Sequence, residues 1–313
     1  MAKVLILVPD GLHADVMLTF GSGLLPSMWQ FRQNGVGTDR AITLYDYSVT
    51  TPCQCSLMTG YPVNKVGMPF PGHKWSTNET YPPSGVTVQS NAGYYVNSMW
   101  DVAHDAGLRT VMIGGKARFN LFGNSWASKL SFWQAYQYDD SSVLNIFIND
   151  IDTNGQADLT EIHFGWPDEA GHGSIDGWSL DPGSPYGESV KLVDSYIGTI
   201  LARIDDDTTV ILVSDHGGKL GSRNHGDSQN PDNFLVPLWI MGPAVTQLGD
   251  LYSLNPTRQI YLTNNPPYQI QQNPGGPPLQ PKPIRNAEVA NIACNILGLG
   301  RIPYSMFNGD LVY

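Results

Sequence analysis

Three aspartates, three histidines and one threonine stand out by type and position: Asp10, Thr50, Asp168, His172, Asp215, His216 and His225. Carboxylate and imidazole are the side chains that hold Zn²⁺, at about 2.0–2.2 Å. Two divalent ions about 3.5–4 Å apart clamp the attacking and leaving oxygens of an in-line displacement at phosphorus. These six ligating side chains are enough for two tetrahedral ions sharing the Thr50 hydroxyl. That hydroxyl is a poor nucleophile until a base or a metal takes its proton. Singly, an Asp-Gly turn, an Asp-His-Gly string or a lone histidine is ordinary. Together, all seven fall beside strand ends or glycine turns, and that points to a metal site.

The elements that must carry them follow from local pattern. Residues 3–8 are a continuous apolar run ending at Pro9-Asp10-Gly11, as a central parallel strand does. Ligands of such sheets bind at the carboxyl ends of the strands. A strand over 41–45 feeds the stretch 48–60, read as a strand end, a turn and a short helix. Thr51 suits the N-cap and Pro52 the first helical position. Thr50 then lies just before a helix N-terminus, where free N–H groups and the dipole favour an anion. Strands over 159–164 and 208–213 run into Trp166-Pro167-Asp168 and Ser214-Asp215-His216-Gly217-Gly218, and 109–113 ends at Gly114-Gly115-Lys116. A further strand covers 236–241. Helical spacing marks 26–33, 95–106, 142–148, 187–204 and 287–297, the fourth with Val190, Val193, Ile197, Ile200, Leu201 and Ile204 on one face. Strands alternating with helices predict an α/β fold with a central, mostly parallel sheet and helices on both faces. With no repeat or linker, one domain over 1–313 is expected, carrying irregular insertions around 61–93 and 264–283.

Only 14% of the 313 residues are charged, while 33 Gly and 23 Pro demand much loop. A net charge of -11 argues against a nucleic-acid surface, which needs basic stripes. Small anionic substrates remain compatible where metal ions supply the local positive charge. Cys53, Cys55 and Cys294 make no disulfide framework. Cys53 and Cys55 lie along the helix after Thr50 and read as packing residues. No apolar run reaches about 18 residues, so no membrane span is expected. The first residues read as a strand rather than a signal peptide. That fits the cytoplasm, or export with the leader already removed.

The order of these segments resembles the alkaline phosphatase superfamily, nearest its nucleotide pyrophosphatase/phosphodiesterase-like and sulfatase-like branches. The likeness runs from Val8-Pro9-Asp10-Gly11 through 50–60, Pro167-Asp168-Glu169-Ala170-Gly171-His172 and 214–218 to His225-Gly226, and on to 302–308. The resemblance implies one metal held by Asp10, Asp215 and His216 and another by Asp168, His172 and His225. Thr50 is then the bridging nucleophile, forming a covalent phospho-threonine that water hydrolyses. It implies a phosphodiester or nucleotide substrate. The alternatives are a phosphomonoester, a phosphonate, or a non-catalytic descendant that binds an anion. Zinc is the expected metal, and the same ligands accept manganese or iron. Sulfatases carry a cysteine, matured to formylglycine, where Thr50 stands, so sulfatase activity is not expected. Nucleotide pyrophosphatases place a phosphate-holding asparagine past the nucleophile, and 68–74 offers none. Lys116 resembles the anion-contacting lysine of sulfatases and phosphonoacetate hydrolase; the other reading is a solvated loop lysine.

A second string competes. Residues 150–161, from Asp150 to Glu161, match the EF-hand ligand pattern, with Gly155 at its sixth position. A strand rather than a helix is expected after Glu161, which weakens calcium. His13, His104 and His163 are expected to be structural, and Lys65, His73 and Lys74 are left as possible pocket residues.

Overall fold

The apolar run at the start of the chain becomes the middle of a sheet. In the computed structural model, which describes residues 2–44, 47–64, 72–227, 230–260 and 283–313, Lys3–Pro9 is β1, buried from Val4 onward. Val4, Ile6 and Val8 pack on one face and Leu5 and Leu7 on the other. A strand buried on both faces needs no alternation of apolar and polar residues.

The chain continues through α1 (Val16–Leu24), α2 (Pro26–Asn34), β2 (Gly35–Ile42), α3 (Thr50–Thr59), α4 (Val88–Ala92) and α5 (Met99–Asp105). Next come β3 (Thr110–Gly114), α6 (Asn120–Ser125), β4 (Phe132–Ala135), α7 (Asp140–Asn154), β5 (Leu159–Phe164), α8 (Trp166–Gly173) and α9 (Pro185–Leu201). The last elements are β6 (Thr208–Val213), α10 (Pro231–Phe234), β7 (Leu235–Met241), β8 (Gly249–Asp250), α11 (Leu251–Leu254) and α12 (Val289–Ile296). The eight strands form one sheet in the order β4-β3-β5-β1-β6-β7-β2-β8. The first five in that order are mutually parallel, and β7 is antiparallel to both its neighbours. One face is covered by α3, α5, α6 and α12, the other by α1, α2, α7 and α9. The α/β reading with a mostly parallel sheet holds.

Several boundaries moved, each for a physical reason. The strand expected over 41–45 is β2, and Tyr45 lies outside the described residues. Its half-polar sequence hid it: Asp39 is tolerated in a buried strand because Arg32 and the Trp239 indole N–H both bond its carboxylate. The helix expected over 187–204 starts earlier, with Pro185 in its first turn and the Ser184 side chain accepting from Gly187 N–H. Residues 72–93 of the expected insertion are partly ordered by contacts. His73 is buried with Nε2 2.9 Å from Ser56 Oγ, and α4 begins with a Thr87–Ser90 capping box. Residues 65–71, including Lys65, and the core of the other expected insertion, 264–282, lie outside the described residues.

The EF-hand string does not make a calcium loop. Its first five residues are the end of α7, and Glu161 is a fully buried residue of β5. Asp150 pairs with Arg109 and Asp152 with Arg203, so these carboxylates are already neutralised by cations from elsewhere in the chain. Ligands split between a helix and a central strand do not wrap one ion.

Candidate active site

The carboxyl ends of β3, β5, β1 and β6 lie side by side, and the chain leaving each of them brings a charged side chain to one place. Asp10 follows β1, Lys116 follows β3, Asp168 and His172 follow β5 on α8, and Asp215-His216 follow β6. Thr50 arrives from the side at the start of α3. Gly11 takes φ +67°, a conformation that favours glycine. Its N–H donates to Asp215 Oδ1 at 3.2 Å, tying the β1 and β6 ends together. Ser214 Oγ accepts from Leu12 N–H and lies 2.9 Å from the Pro9 carbonyl, while Asn286 Nδ2 donates to the carbonyls of Ser214 and Asp215. Asp140 accepts from Gly165 and Trp166 N–H and so anchors the start of the helix carrying Asp168.

The helix at Thr50 differs from the sequence reading. It begins at Thr50 itself, with extended Val49 at the N-cap and no cap from a neighbouring side chain. Thr51 is not the cap. Asn78 Oδ1 takes that part from outside, accepting from Thr51 N–H at 2.9 Å and Thr51 Oγ1 at 3.0 Å, and also from Arg118. Asn78 and Arg118 escaped sequence reasoning because both lie in stretches without apolar period.

Two clusters form here, and the Thr50 hydroxyl contacts the first of them directly. Around the first, His216 Nε2 lies 3.1 Å from Asp10 Oδ1 and 3.7 Å from Asp215 Oδ2. In the second, Asp168 Oδ1 lies 3.4 Å from His225 Nε2 and 3.5 Å from His172 Nε2, and those two nitrogens are 3.1 Å apart. His216 is within reach of both: Asp168, His216 and His225 also offer atoms within 4.8 Å of one another. Thr50 Oγ1 is 3.3 Å from His216 Nε2, 3.4 Å from Asp10 Oδ2 and 3.1 Å from Lys116 Nζ. Lys116 is not a solvated loop lysine. It is 1% exposed and pairs with Asp10, and with Asp168 Oδ2 at 2.5 Å.

Hydrogen bonding fits the clusters to cations. His172, His216 and His225 each direct Nδ1 to a backbone carbonyl, of Arg223, Gly217 and Ser48 respectively. A carbonyl only accepts, so Nδ1 bears a proton and each ring turns Nε2 to the site, where it is a ligand whenever the ring is neutral. Asp10 Oδ1, Asp168 Oδ1 and Asp215 Oδ2 are buried and have no donor. Orphaned buried carboxylate oxygens facing imidazole lone pairs are costly unless a cation lies among them. Burial and the positive His216 nearby push His225 down to about 3, which keeps that ring neutral. Burial and the Asp10 charge push Asp215 up to about 6. Burial opposes charge on His216, yet Asp215 and Asp10 lift it to about 9. Burial would likewise raise Asp10, but the Lys116 charge, the His163 hydrogen bond and the nearby His216 ring hold it well below the usual carboxylate range. Surroundings that hold a proton this firmly attract a divalent cation for the same reason.

A family model described as type I phosphodiesterase / nucleotide pyrophosphatase matches residues 4–269. The chain belongs to that family. No curated protein sequence matches this phosphodiesterase-family chain. Among solved structures, murine ectonucleotide pyrophosphatase/phosphodiesterase 5, as an inactive variant in complex with AMP, superimposes with TM-score 0.64 at 13% identity, over 99% of this chain and 100% of that one. A 2-O GAG sulfatase gives 0.66 at 12% identity, over 97% and 72%. A lipoteichoic acid synthase from Listeria monocytogenes gives 0.57 at 13% identity, over 80% and 67%. At such identities the likeness establishes the alkaline phosphatase-like fold. All seven residues singled out in the sequence lie within the span of the family match.

Four histidines and three cysteines fall outside the clusters, His73 among them on Ser56 Oγ. His13 and His104 contact Asp232 and Asp105. Cys53, Cys55 and Cys294 are buried and unbridged, with burial pushing their thiols up. His163 is the exception among the histidines set aside as structural: its Nε2 lies 2.9 Å from Asp10 Oδ2. Among the described residues, no helix is long and apolar enough to cross a membrane.

Proposed function

We propose that this chain is, over 1–313, a single-domain two-metal hydrolase of phosphorus esters, with phosphodiesters or nucleotides as its first substrates. The observation that carries the reading is that three donor-less carboxylate oxygens, of Asp10, Asp168 and Asp215, all lie within 3.8 Å of His216 Nε2, which is itself 3.3 Å from the Thr50 hydroxyl. Asp10, Asp215 and His216 would hold one ion and Asp168, His172 and His225 the other, with Thr50 between. Two such ions supply charge neutralisation at phosphorus and lower the pKa of the oxygen that attacks it. Zinc suits this mix of carboxylate and imidazole; manganese and iron are accepted by the same ligands.

Thr50 Oγ1 loses its proton and attacks phosphorus in line as the P–O bond to the leaving alcohol breaks, the alcohol taking up a proton. Water then cleaves the phospho-threonine, restoring the hydroxyl and releasing the phosphoryl product. The first turn of α3 aims its dipole at the transferring group. Asn78 orients the Thr51 N–H at that turn, and Arg118, held on Asn78, adds positive charge beside it. Lys116, which reaches both Thr50 and Asp168, neutralises charge that gathers on the non-bridging oxygens. A nucleotide is the first substrate to try, because a structural neighbour is complexed with AMP. A phosphomonoester or phosphonate is the second reading, favoured by Lys116, whose extra positive charge suits a more highly charged group.

Initial rates on nitrophenyl phosphodiester, phosphomonoester, phosphonate and sulfate, with zinc or manganese, test the proposal. Diester turnover should fall by at least about a thousandfold in Thr50→Ala, as for loss of other nucleophiles, with both ions retained. Normal turnover in that variant removes the nucleophile assignment. No turnover on any substrate by the metal-loaded wild type points to an anion-binding descendant.

A further inference from the structure

His163 is the last residue but one of β5, paired across the sheet with Val8 of β1 and Gly114 of β3, and is fully buried. Its bonding is the reverse of that of the three histidines in the clusters. Nε2 meets Asp10 Oδ2 at 2.9 Å, and a carboxylate only accepts, so Nε2 bears the proton. Nδ1 is buried without a partner. The ring rests against Phe119, centroids 4.3 Å apart, which fixes its plane. Asp10 Oδ2 is thereby held on the sheet side, while Asp10 Oδ1, which has no donor, turns towards His216 and Asp215.

We propose that His163 is a positioning residue for Asp10: its Nε2–H pins one carboxylate oxygen so that the other is preset as a ligand in the Asp10–Asp215–His216 cluster. The inference rests on the two-metal reading above. A carboxylate on the first residue after a strand can swing about χ1 and χ2, and each competing orientation lowers the population ready to bind. A hydrogen bond from a residue locked inside the sheet removes that freedom. Outer partners of this kind commonly change metal affinity about 10–100-fold. Lys116 contacts the same oxygen, but it also pairs with Asp168 and Thr50 and so does not define one orientation of Asp10.

The test is competition of the full chain against a chromophoric zinc chelator, for wild type, H163Q, H163N and H163F. The glutamine amide reaches where Nε2–H stands; the asparagine amide is too short, and phenylalanine keeps the ring packing on Phe119 without a donor. Wild type should bind two ions. H163Q should stay within about threefold of wild type, while H163N weakens one ion about 10–100-fold and spares the other. Metal-free melting reports folding, and H163F carries the same expectation should H163N not fold. Two ions bound with unchanged affinity in H163N or H163F overturn the positioning role alone. Equal weakening in H163Q and H163N also overturns it, because packing then explains the residue. A wild type that binds no pair of ions overturns this role together with the two-metal reading.

Discussion

The two ligand clusters are built on different kinds of structure. Asp10, Asp215 and His216 stand directly on the ends of the neighbouring strands β1 and β6 and are 0% exposed. They are braced by Gly11 N–H, Ser214, Asn286 and His163. Asp168 and His172 sit one turn apart on α8, and His225 comes from a loop; the His172 side chain is 39% exposed. His172 and His225 are oriented by the carbonyls of Arg223 and Ser48 and by ring contacts with Trp178. A strand end inside a sheet has few ways to move, whereas a helix terminus and a loop open locally at lower cost. The strand-borne cluster should therefore hold its ion tightly, and the helix-borne one should exchange.

The largest effect that would sharpen this contrast is expected at Asp215. Asp215→Ala removes a ligand and leaves the N–H groups of Gly11 and His216 without their acceptor. Metal analysis should find one ion per chain at most, and turnover should fall by at least about a thousandfold. His172→Ala should do less. It should weaken one ion by roughly 10–100-fold, and excess metal should restore turnover. Stopped-flow chelation of wild type should be biphasic, with the faster phase the one that H172A alters. Equal loss rates for the two ions would break the comparison.

Another buried carboxyl, Glu161, separates carboxylates that serve the site from one that does not. Both of its oxygens lack partners, and burial, with a smaller push from Asp215, lifts its pKa from 4.5 to about 8. The folded chain keeps this proton where the unfolded chain has lost it, so stability falls as pH rises from about 4.5 to about 8. The slope is about 1.4 kcal/mol per pH unit. Glu161→Gln should flatten that part of the melting profile and be more stable than wild type at pH 8. An unchanged slope would show that Glu161 is ionised in the folded chain. The smallest effect is expected in the discarded calcium string. Asp152→Ala breaks only an exposed pair with Arg203 and should shift stability by less than about 0.5 kcal/mol, with or without calcium.

Much of this was readable before folding. The apolar runs ending in Asp10, Lys116 and Asp215 declared buried strands by composition alone, because a strand covered on both faces needs little else. Residue type and position beside those ends singled out the side chains proposed as ligands. The strand over 159–164 was legible, but the helix after it, which sets Asp168 and His172 one turn apart, was not. Tertiary structure decided the rest. His163 sits in a run of alternating character and reads as a core residue until sheet register sets it beside Asp10. Asn78 and Arg118 meet the Thr50 helix only when the chain folds back. Which imidazole nitrogen faces the site depends on carbonyls remote in sequence, and the EF-hand string fails because α7 and β5 claim its two halves. Local pattern reports what each segment buries; the partners of a single polar atom are set by long-range contacts that have no period along the chain.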